Sequence, residues 1–380
     1  MVDFEKAFNR QNHHKLITKL SDMGVPGWLL KIIIGFLEER TLVVSYKGEK
    51  SGVKAMPGGG PQGTILGMFL FLVLINDAGF KKESESIGIK LTKAFNKRNV
   101  LDTKHWKYVD DLTVAEALKL KENLENDDDQ LLEKPLTYHD RNNQILPKEA
   151  SQVQKQLEEI NEYAVTNEMK VNQKKSKVML FNTSKKYDFT PSLTINNDKL
   201  EVVEELKLLG VKITNDLKWN LNTKYITTKA YSRLWILRRL KLLGANNSEL
   251  VDCFIKQARS VLEYCAVVWH AGLTQTNIVD IERVQKAACA IILGKQYSSY
   301  HEALVALGLE KLEVRRENLS RKFAKKAFKS DKYSSWFVKD TNPSNTRRQI
   351  KTVKEAQCRT RRLQKSALPY LTHILNIDKK

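Results

Sequence analysis

The chain has 380 residues, of which 42% are hydrophobic, and its 64 Lys and Arg against 44 Asp and Glu give a formal net charge of +20. This length and apolar content are typical of a folded protein of two or three domains and exclude a disordered chain. The positive excess indicates a polyanionic partner, first of all nucleic acid. Four cysteines without a CxxC pair indicate neither a disulfide framework nor a zinc knuckle, and they are typical of a reducing, intracellular compartment, nuclear or cytoplasmic.

The apolar pattern argues against a membrane protein and against a secreted one. The longest apolar run, residues 65–75 with one glycine in it, is about half of what a membrane crossing requires. The N-terminus begins with charged residues and lacks a hydrophobic signal core. No membrane partner is therefore expected.

The first predicted elements are a helix and a hairpin. A helix is expected over residues 28–37, because apolar residues recur there at spacings of three and four after a Pro-Gly breaker. Residues 41–46 are β-branched and aromatic, Lys47-Gly48 provides a turn, and a second short strand is expected around Val53. Residues 65–75 then predict a buried helix that follows a glycine-rich stretch.

Residues 112–216 begin with an acidic run and continue with a helix and strands. Residues 112–150 carry an acidic run that includes Asp127-Asp128-Asp129, and we interpret them as a solvated connector or insertion. Helical spacing returns over residues 153–164, and strands are expected at 177–181 and 206–213. The first domain is expected to end near residue 216.

The remainder is predicted to be helical and strongly basic. Apolar residues recur at helical spacing up to Gly294, which predicts a small all-helical domain over residues 217–310. Residues 311–380 contain 20 basic and 6 acidic side chains, so this segment supplies +14 of the net charge. It is expected to be the main electrostatic contact with a polyanion, unless its charge is only a solvated surface.

Two adjacent carboxylates, Asp110 and Asp111, are flanked by β-forming residues in the segment 106–115. The pattern predicts a β-hairpin with both carboxylates at its turn. Two neighbouring anions on a rigid support repel each other unless a cation lies between them, and a divalent metal is the usual cation. A solvated Asp-Asp turn is the alternative, because charged residues favour surfaces and turns.

The motifs around this pair follow a recognisable order. They are Asp3-Phe4-Glu5-Lys6-Ala7-Phe8, Gly59-Gly60-Pro61-Gln62-Gly63, Tyr108-Val109-Asp110-Asp111, Asn172 with Lys175, Ser176 and Lys177, and Leu208-Leu209-Gly210-Val211. In this order and spacing they resemble the successive palm motifs of reverse transcriptases. Their residues are most similar to those of the non-LTR (LINE, Jockey-like) retrotransposon class. The resemblance is closest over residues 3–40 and covers roughly residues 1–325.

The resemblance implies an α+β fold with a right-hand polymerase palm over residues 1–216, an all-helical thumb over 217–310, and a basic helical or disordered tail over 311–380. It implies RNA-directed DNA synthesis with two Mg2+ (or Mn2+) ions, and an RNA template, a DNA primer and dNTP as partners. The family places fingers and an endonuclease upstream of the first carboxylate. The chain is therefore expected to be an N-terminally truncated form with weak or no activity alone, and Asp3 is expected to lie in a frayed terminus.

The resemblance also assigns roles to individual residues. Asp3 and Asp110 would bridge the metals, with Asp111 as the neighbouring carboxylate. Lys175 matches the lysine near the leaving pyrophosphate. The remaining matches are the residue that excludes a 2′ hydroxyl, Phe8; further nucleotide or template contacts, Gln62, Gly63 and Tyr108; the primer grip, Leu209 and Gly210; and contacts with the nucleic-acid backbone, Arg233, Arg238 and Arg239.

Several assignments have a structural alternative. Phe8 is also typical of a core aromatic residue, and Lys175 lies in a basic cluster in which any lysine can be merely solvated. Trp235, on the same predicted helix as the three arginines, is either a nucleic-acid contact or a core residue. His270, Cys265 and Cys289 do not match the Cys and His knuckle of some family members, and their helical spacing indicates core packing.

The sequence departs from the family pattern at a few further positions. Gly60 stands where the family usually has an aliphatic residue, Met68 where a proline is common, and Asn9 where an aspartate is frequent. The favoured function is an RNA-directed DNA polymerase fragment. A catalytically silent nucleic-acid-binding remnant is the main alternative, and a maturase-like or telomerase-like factor is a third.

Overall fold

The computed structural model describes residues 1–56, 58–61, 63–76, 104–108, 111–115, 138–139, 145–146, 152–181, 191–338, 353–355, 357–358 and 360–377. For residues 104–108, 111, 138–139, 145–146 and 152 it describes the backbone alone. The described residues belong to two compact units, the first ending at Val203 and the second beginning at Glu204.

The first unit combines helices with short paired strands. Its helices are a 3-10 turn Ala7–Arg10, α1 His13–Asp22, α2 Gly27–Leu37, α3 Ile65–Ile75 and α4 Gln152–Thr166. Its strands are β1 Thr41–Leu42, β2 Ser45–Tyr46, β3 Glu49–Lys50, β4 Lys54–Ala55, β5 Lys104–Tyr108, β6 Asp111–Ala115, β7 Tyr138–His139, β8 Ile145–Leu146, β9 Lys177–Val178, β10 Thr194–Ile195, β11 Asp198–Lys199 and β12 Glu201–Val202. Strands β9 and β12 pair in parallel, and the pairs β1–β4, β2–β3, β5–β6, β7–β8 and β10–β11 are antiparallel.

The helices contribute many side chains to the core of the first unit, because apolar residues spaced by three and four place one face of each helix inward. The side chains buried there are Leu16 and Leu20 of α1, Ile33 and Leu37 of α2, Leu70, Phe71 and Leu74 of α3, and Leu157 and Ile160 of α4. Helix α1 starts at an Asn12 cap, whose side chain accepts the Lys15 N–H, and α3 starts at a Thr64 cap that accepts the Gly67 N–H.

Several sequence predictions in this unit are confirmed. Helix α2, the chain reversals between residues 41 and 55, helix α4 and a helix over Ile65–Ile75 lie where the pattern placed them. The α3 prediction is wrong in one respect, because this helix is buried on one face only: Ile65, Met68, Phe69 and Leu72 are exposed. Most of the predicted acidic connector, residues 112–150, lies outside the described residues.

The first five residues are held on both sides, so the expectation of a frayed terminus is wrong. Val2 bridges Leu112 of β6, and Phe4 bridges Val171 on the other side, both in antiparallel fashion. The Val2 and Phe4 side chains are buried at 1% and 5% exposure. Buried side chains and bonds to two neighbouring segments hold Asp3 between them in a fixed position.

The second unit is mainly helical. It opens with an antiparallel hairpin of β13 Glu205–Leu208 and β14 Val211–Thr214. Its helices are α5 Asn220–Leu242, α6 Asn247–Phe254, a π-helical turn Ile255–Arg259, α7 Ser260–Glu263, α8 Ala266–Trp269, α9 Gln275–Leu293, α10 Tyr300–Ala306, α11 Leu312–Lys329, α12 Arg361–Gln364 and α13 Ala367–Ile377, with 3-10 turns at His270–Gly272, Gly294–Gln296 and Ser334–Trp336.

Its largest core packs α5 against α9 and the segments between them. The buried residues are Leu234 and Leu237 of α5, Leu250 and Phe254 of α6, Trp269 of α8, and Ile281, Val284 and Ile292 of α9. Gly294 ends α9 with a positive φ of 58°, as the sequence predicted. The predicted series of helices up to this glycine is thereby confirmed.

The basic segment after residue 310 is partly a folded core. Leu312, Ala324 and Ala327 of α11 are buried, and Leu371 and Leu375 of α13 pack in the same cluster as the two alanines. The described part of this basic segment therefore contributes to the packing of the second unit as well as to its charge. None of the helices described is both long enough and apolar enough to cross a bilayer.

Candidate functional site

Asp3 lies on a short extended segment beside β6. The Val2 N–H donates to the Leu112 carbonyl at 2.7 Å, and the Leu112 N–H donates back to Val2 at 3.3 Å. In an antiparallel pair this exchange makes Val2 and Leu112 direct partners, so the next pair in register is Asp3 and Asp111. The backbone thus brings two residues that are far apart in sequence to facing positions.

The hairpin of β5 and β6 carries the motif that the sequence singled out. Tyr108 and Asp111 are the last paired residues of the two strands, so residues 109 and 110 connect them. The predicted hairpin is confirmed, but Asp111 is the first residue of β6 rather than part of the turn. Asp110 itself lies outside the described residues, and the side chains of Tyr108 and Asp111 are not described.

Lys175 is brought to Asp3 by a compact turn over residues 172–176. The Asn172 N–H donates to the Asp3 carbonyl at 2.7 Å, and the Asp3 N–H donates to the Ser176 hydroxyl at 3.2 Å. The Lys175 Nζ then lies 3.9 Å from the Asp3 Oδ2. A lysine 172 residues away in sequence is thus beside the first motif carboxylate.

The environment of Asp3 is suited to a cation. Its side chain is only 18% exposed, whereas that of Lys175 is 73% exposed and extends into solvent. A nearby positive charge stabilises the ionised form of a partly buried carboxylate. Carboxylate oxygens are also the ligands that Mg2+ prefers. Within the described part of the chain no group of three or more His, Cys, Asp or Glu is placed to hold a metal.

Phe8 lies between the core and the glycine-rich loop. Its ring packs on Phe71 of α3 with centroids 4.4 Å apart, and its carbonyl accepts the Gly60 N–H at 2.7 Å. The buried Gln11 side chain occupies the space beside Gly60, where an added Cβ would collide with it. A side chain at position 60 would therefore require Gln11 to move, and the sequence alone did not point to Gln11.

The rest of the glycine-rich loop leads into α3. Gly63 is exposed and has a φ of +84°, a conformation that favours glycine. Gln62 lies outside the described residues. The exposed backbone at Gly63 therefore stands immediately before the helix that supports Phe8.

The predicted primer-grip residues form the turn of the β13–β14 hairpin. Leu209 and Gly210 have φ values of +45° and +85°, which is the signature of a two-residue hairpin turn. The Tyr264 hydroxyl donates to the Leu209 carbonyl at 2.8 Å and so holds the turn from a segment 55 residues away. Nothing in the hairpin sequence indicated this support.

Of the α5 residues predicted to contact the nucleic-acid backbone, some are exposed and one is held by a contact within the protein. Arg238 and Arg239 are exposed, and Trp235 and Tyr231 are exposed at 58% and 43%. The alternative that Trp235 is a core residue is therefore wrong. Arg233 is half-buried and donates to the Gln257 carbonyl at 2.6 Å, so it joins α5 to the π-helical turn.

The His and Cys residues that the sequence assigned to packing lie in or near the second core. His270 and Cys289 are buried, and Cys265 is half-buried. Burial raises the pKa of the Cys289 thiol to about 11. This confirms the packing interpretation for His270 and Cys289, and it leaves Cys289 a protonated, weakly nucleophilic thiol.

The chain is similar to known proteins over the region that contains these motifs. Residues 1–213 match the family described as reverse transcriptase (RNA-dependent DNA polymerase). The chain belongs to this family. It is also 40% identical over 76 residues, 20% of its length, to the RNA-directed DNA polymerase from the mobile element jockey of Drosophila melanogaster.

Both matches agree with the non-LTR class that the motif order indicated. The matched region of the chain spans 8% of the length of the jockey polymerase. Membership of the reverse transcriptase family implies a palm-type polymerase fold, and in this family member Asp3 and Lys175 both lie within the matched residues.

Proposed function

We propose that this reverse transcriptase chain carries the nucleotidyl-transfer centre of an RNA-directed DNA polymerase, with an RNA template, a DNA primer and dNTP as its ligands. The observation that carries the proposal is the bridge between Val2 and Leu112, which lays Asp3 alongside the strand that begins at Asp111. Under this proposal Asp3 and the Asp110-Asp111 motif, which are far apart in sequence, meet at one sheet edge.

Asp3, Asp110 and Asp111 would hold two Mg2+ ions. The ions, when bound, would stabilise the attacking 3′ oxygen of the primer and the leaving oxygen of the nucleotide. Asp3 is fixed for this role by backbone bonds to Leu112 on one side, through Val2, and to Asn172 on the other. A carboxylate fixed by its own backbone needs little reorganisation when it binds a cation.

Lys175 would serve the leaving group. Its exposed ammonium lies 3.9 Å from the Asp3 carboxylate and reaches past it into solvent. A cation in this position stabilises the negative charge that develops on pyrophosphate and can supply a proton to it. Its exposure leaves it accessible to a phosphate ligand.

Phe8, Gln62 and Gly63 would form the nucleotide and template side of the site. The Phe8 ring is fixed by its stacking on Phe71, so a sugar beside it meets a rigid surface that can exclude a 2′ hydroxyl. The positive φ and exposure of Gly63 allow backbone to approach a base pair closely. Tyr108, the last residue of β5, would stand beside the metals.

The second unit would hold the primer and the duplex. The turn of Leu209 and Gly210 is fixed by Tyr264 and would contact the primer terminus. Exposed Trp235, Arg238 and Arg239 give α5 a surface with both aromatic and cationic groups. Such a surface contacts phosphates and stacks on sugars or bases.

Metal binding tests the carboxylate assignment without requiring catalysis. Asp3→Asn and Asp110→Asn should each lower the number or affinity of bound Mn2+, measured by the loss of the free-ion electron paramagnetic resonance signal. Asp198→Asn, which removes an exposed carboxylate in the same unit, is the matched control. Equal Mn2+ binding in all three variants would rule out the two-metal centre.

Primer extension tests the activity. The chain, alone and fused behind a family-type fingers segment, is given an oligo(dT) primer on poly(rA), dTTP and Mg2+. We expect weak or absent extension alone, extension by the fusion, and its loss in the fusion with Asp110→Ala. Extension that survives Asp110→Ala would contradict the site, and a fusion that binds Mn2+ but never extends a primer would favour the binding function below.

A second function, nucleic-acid binding without catalysis, is favoured by one observation. The aromatic and basic surface of α5 lies wholly within the second unit and needs none of the carboxylates. Under this function, Trp235→Ala would weaken binding to an RNA–DNA hybrid several-fold, whereas Asp3→Asn would leave the binding unchanged.

A further inference from the structure

Three lysines surround one tyrosine where the β13–β14 hairpin packs on α5. The Nζ atoms of Lys207, Lys212 and Lys229 lie 5.4, 5.7 and 5.9 Å from the centroid of the Tyr225 ring. Lys207 and Lys212 are direct cross-strand partners, so their side chains leave the same face of the hairpin. Lys229 is one helical turn after Tyr225 on α5. The cluster therefore joins two elements of the same unit.

The cluster has an excess of positive charge. Like charges directly opposite in a strand pair destabilise it, and a third lysine adds to the repulsion. Among the described residues no carboxylate forms an ion pair with any of these three lysines. Lys207 and Lys229 are exposed, and Lys212 is half-buried, so the ammonium groups are accessible.

The electrostatics of Tyr225 reflect the lysines around its ring. The pKa of Tyr225 is lowered from its ordinary value, first because the Lys207 ammonium hydrogen-bonds to the phenol oxygen, with the Lys229 charge adding to the effect. The phenol oxygen thus partly takes the place of an anion. Ammonium groups gathered around a neutral aromatic side chain form stronger, charge-assisted hydrogen bonds when a phosphate binds among them.

We propose that Lys207, Lys212, Lys229 and the Tyr225 hydroxyl form a binding site for one phosphate of a nucleic-acid strand. The proposal rests on the proposed function only in taking nucleic acid as the ligand. The three ammonium groups donate to the non-bridging oxygens, and the phenol donates a further hydrogen bond.

The test uses the full chain and a fluorescein-labelled single-stranded RNA of 20 nucleotides. The triple variant Lys207→Gln, Lys212→Gln, Lys229→Gln is compared with Lys286→Gln, Lys295→Gln, Lys332→Gln, which removes the same charge from exposed positions of the same unit. Lys332 also lies over a tyrosine ring, but as a single lysine rather than one of three. Affinity is measured by anisotropy between 50 and 300 mM salt.

We expect the first triple variant to lose about tenfold or more in affinity and its log–log salt slope to fall by roughly 0.7, the value for one phosphate on a single strand. The control should lose much less. In an NMR spectrum of the protein with labelled tyrosine rings, the Tyr225 signal is assigned by its loss in Tyr225→Phe. We expect the chemical shift of this signal to change when RNA is added.

Equal losses in the two triple variants, or a Tyr225 signal that RNA leaves in place, would overturn the site. Inorganic pyrophosphate that displaces the RNA at the same concentration as an unlabelled oligonucleotide would overturn nucleic acid as the ligand and favour a free phosphate compound. Asp3→Asn separates this proposal from the polymerase function, because it should abolish extension by the fusion with the fingers segment and leave the RNA-induced shift of Tyr225 in the full chain intact.

Discussion

At the scale of single residues, His270 is a buried base beside a buried cation. Burial lowers its pKa to about 4, and the charge of Arg316 adds to the effect. The folded pKa is below the ordinary 6.5, so between these values the unfolded chain binds the proton more readily. The free energy of unfolding should therefore fall as the pH is lowered from 6.5 to 4.

His270→Gln should remove this pH dependence. The wild type is expected to lose at most about 3 kcal/mol over that range, because one pKa unit corresponds to about 1.4 kcal/mol. The variant should lose correspondingly less. Urea unfolding at pH 7 and pH 4.5, followed by tryptophan fluorescence, measures the difference, and parallel losses in both proteins would show that His270 is not the source.

Arg316 is the second unusual residue, since its guanidinium is fully buried. No hydrogen-bond partner for it occurs among the described residues, and it lies 5.9 Å from the Trp269 ring centroid. Burial lowers the pKa of Arg316, although the nearby charge of Glu282 opposes this shift. The cost of removing this charge from water is thus not offset by hydrogen bonds.

Arg316→Met should keep the stability of the second unit or raise it, by up to about 4 kcal/mol, because a methionine of similar length fills the space without a buried charge. Urea midpoints of the two proteins provide the measurement. A loss of several kcal/mol would mean that the attraction between Arg316 and Glu282 outweighs the desolvation.

At the scale of elements, the β13–β14 hairpin depends on its turn. Gly210 has a φ of +85°, and an added Cβ would lie 3.2 Å from the Tyr264 ring. Gly244 has nearly the same φ of +86° but has nothing within 4 Å of an added Cβ. A side chain at either position would therefore meet the same backbone strain, but only a side chain at position 210 would also meet a neighbouring ring.

Gly244→Ala should cost about 1 kcal/mol, the usual penalty of a side chain in the left-handed region, and Gly210→Ala should cost more. The difference between the two losses of unfolding free energy measures the cost of displacing Tyr264. This displacement should also disturb the hydrogen bond from Tyr264 to Leu209. Unfolding free energies of both variants give the comparison. An equal cost at the two sites would show that Tyr264 moves aside freely.

At the scale of the whole molecule, much of the net charge lies on a segment that also packs. Lys322, Lys326 and Lys329 are exposed on α11, whereas Ala324 and Ala327 of the same helix are buried. Deleting residues 326–380 would remove part of this core together with the charge. Substitution on the exposed face separates the two effects.

Neutralising Lys322, Lys326 and Lys329 to glutamine should leave the unfolding transition unchanged and reduce the salt slope of RNA binding by up to about 2, if each lysine neutralises one phosphate. Sequence preference should stay slight, because phosphate contacts carry no base information. An unchanged slope would mean that this charge is only a solvated surface and that binding resides on α5 around Arg238 and Arg239.

The local elements were predictable because their signals are local. Helices α2 and α3 and the chain reversals after α2 follow from apolar spacing, β-branched runs and Lys47-Gly48, which act within a few residues. The Asp110-Asp111 hairpin was predictable for the same reason. The family was predictable from the order of the motifs, since that order needs no three-dimensional information.

The sequence by itself thus determined most of the element types, the motif residues and the family of this protein. The strand expected over residues 206–213 was wrong, because the chain turns back at Leu209-Gly210 and forms the β13–β14 hairpin. Tertiary structure alone decided that Asp3 is anchored through Val2 and Leu112, that Lys175 lies beside it, and that one face of α3 stays exposed. It also decided that lysines from two elements gather around Tyr225. The physical reason is that such contacts join residues distant in sequence, and their geometry depends on how whole elements pack rather than on the period of any one of them.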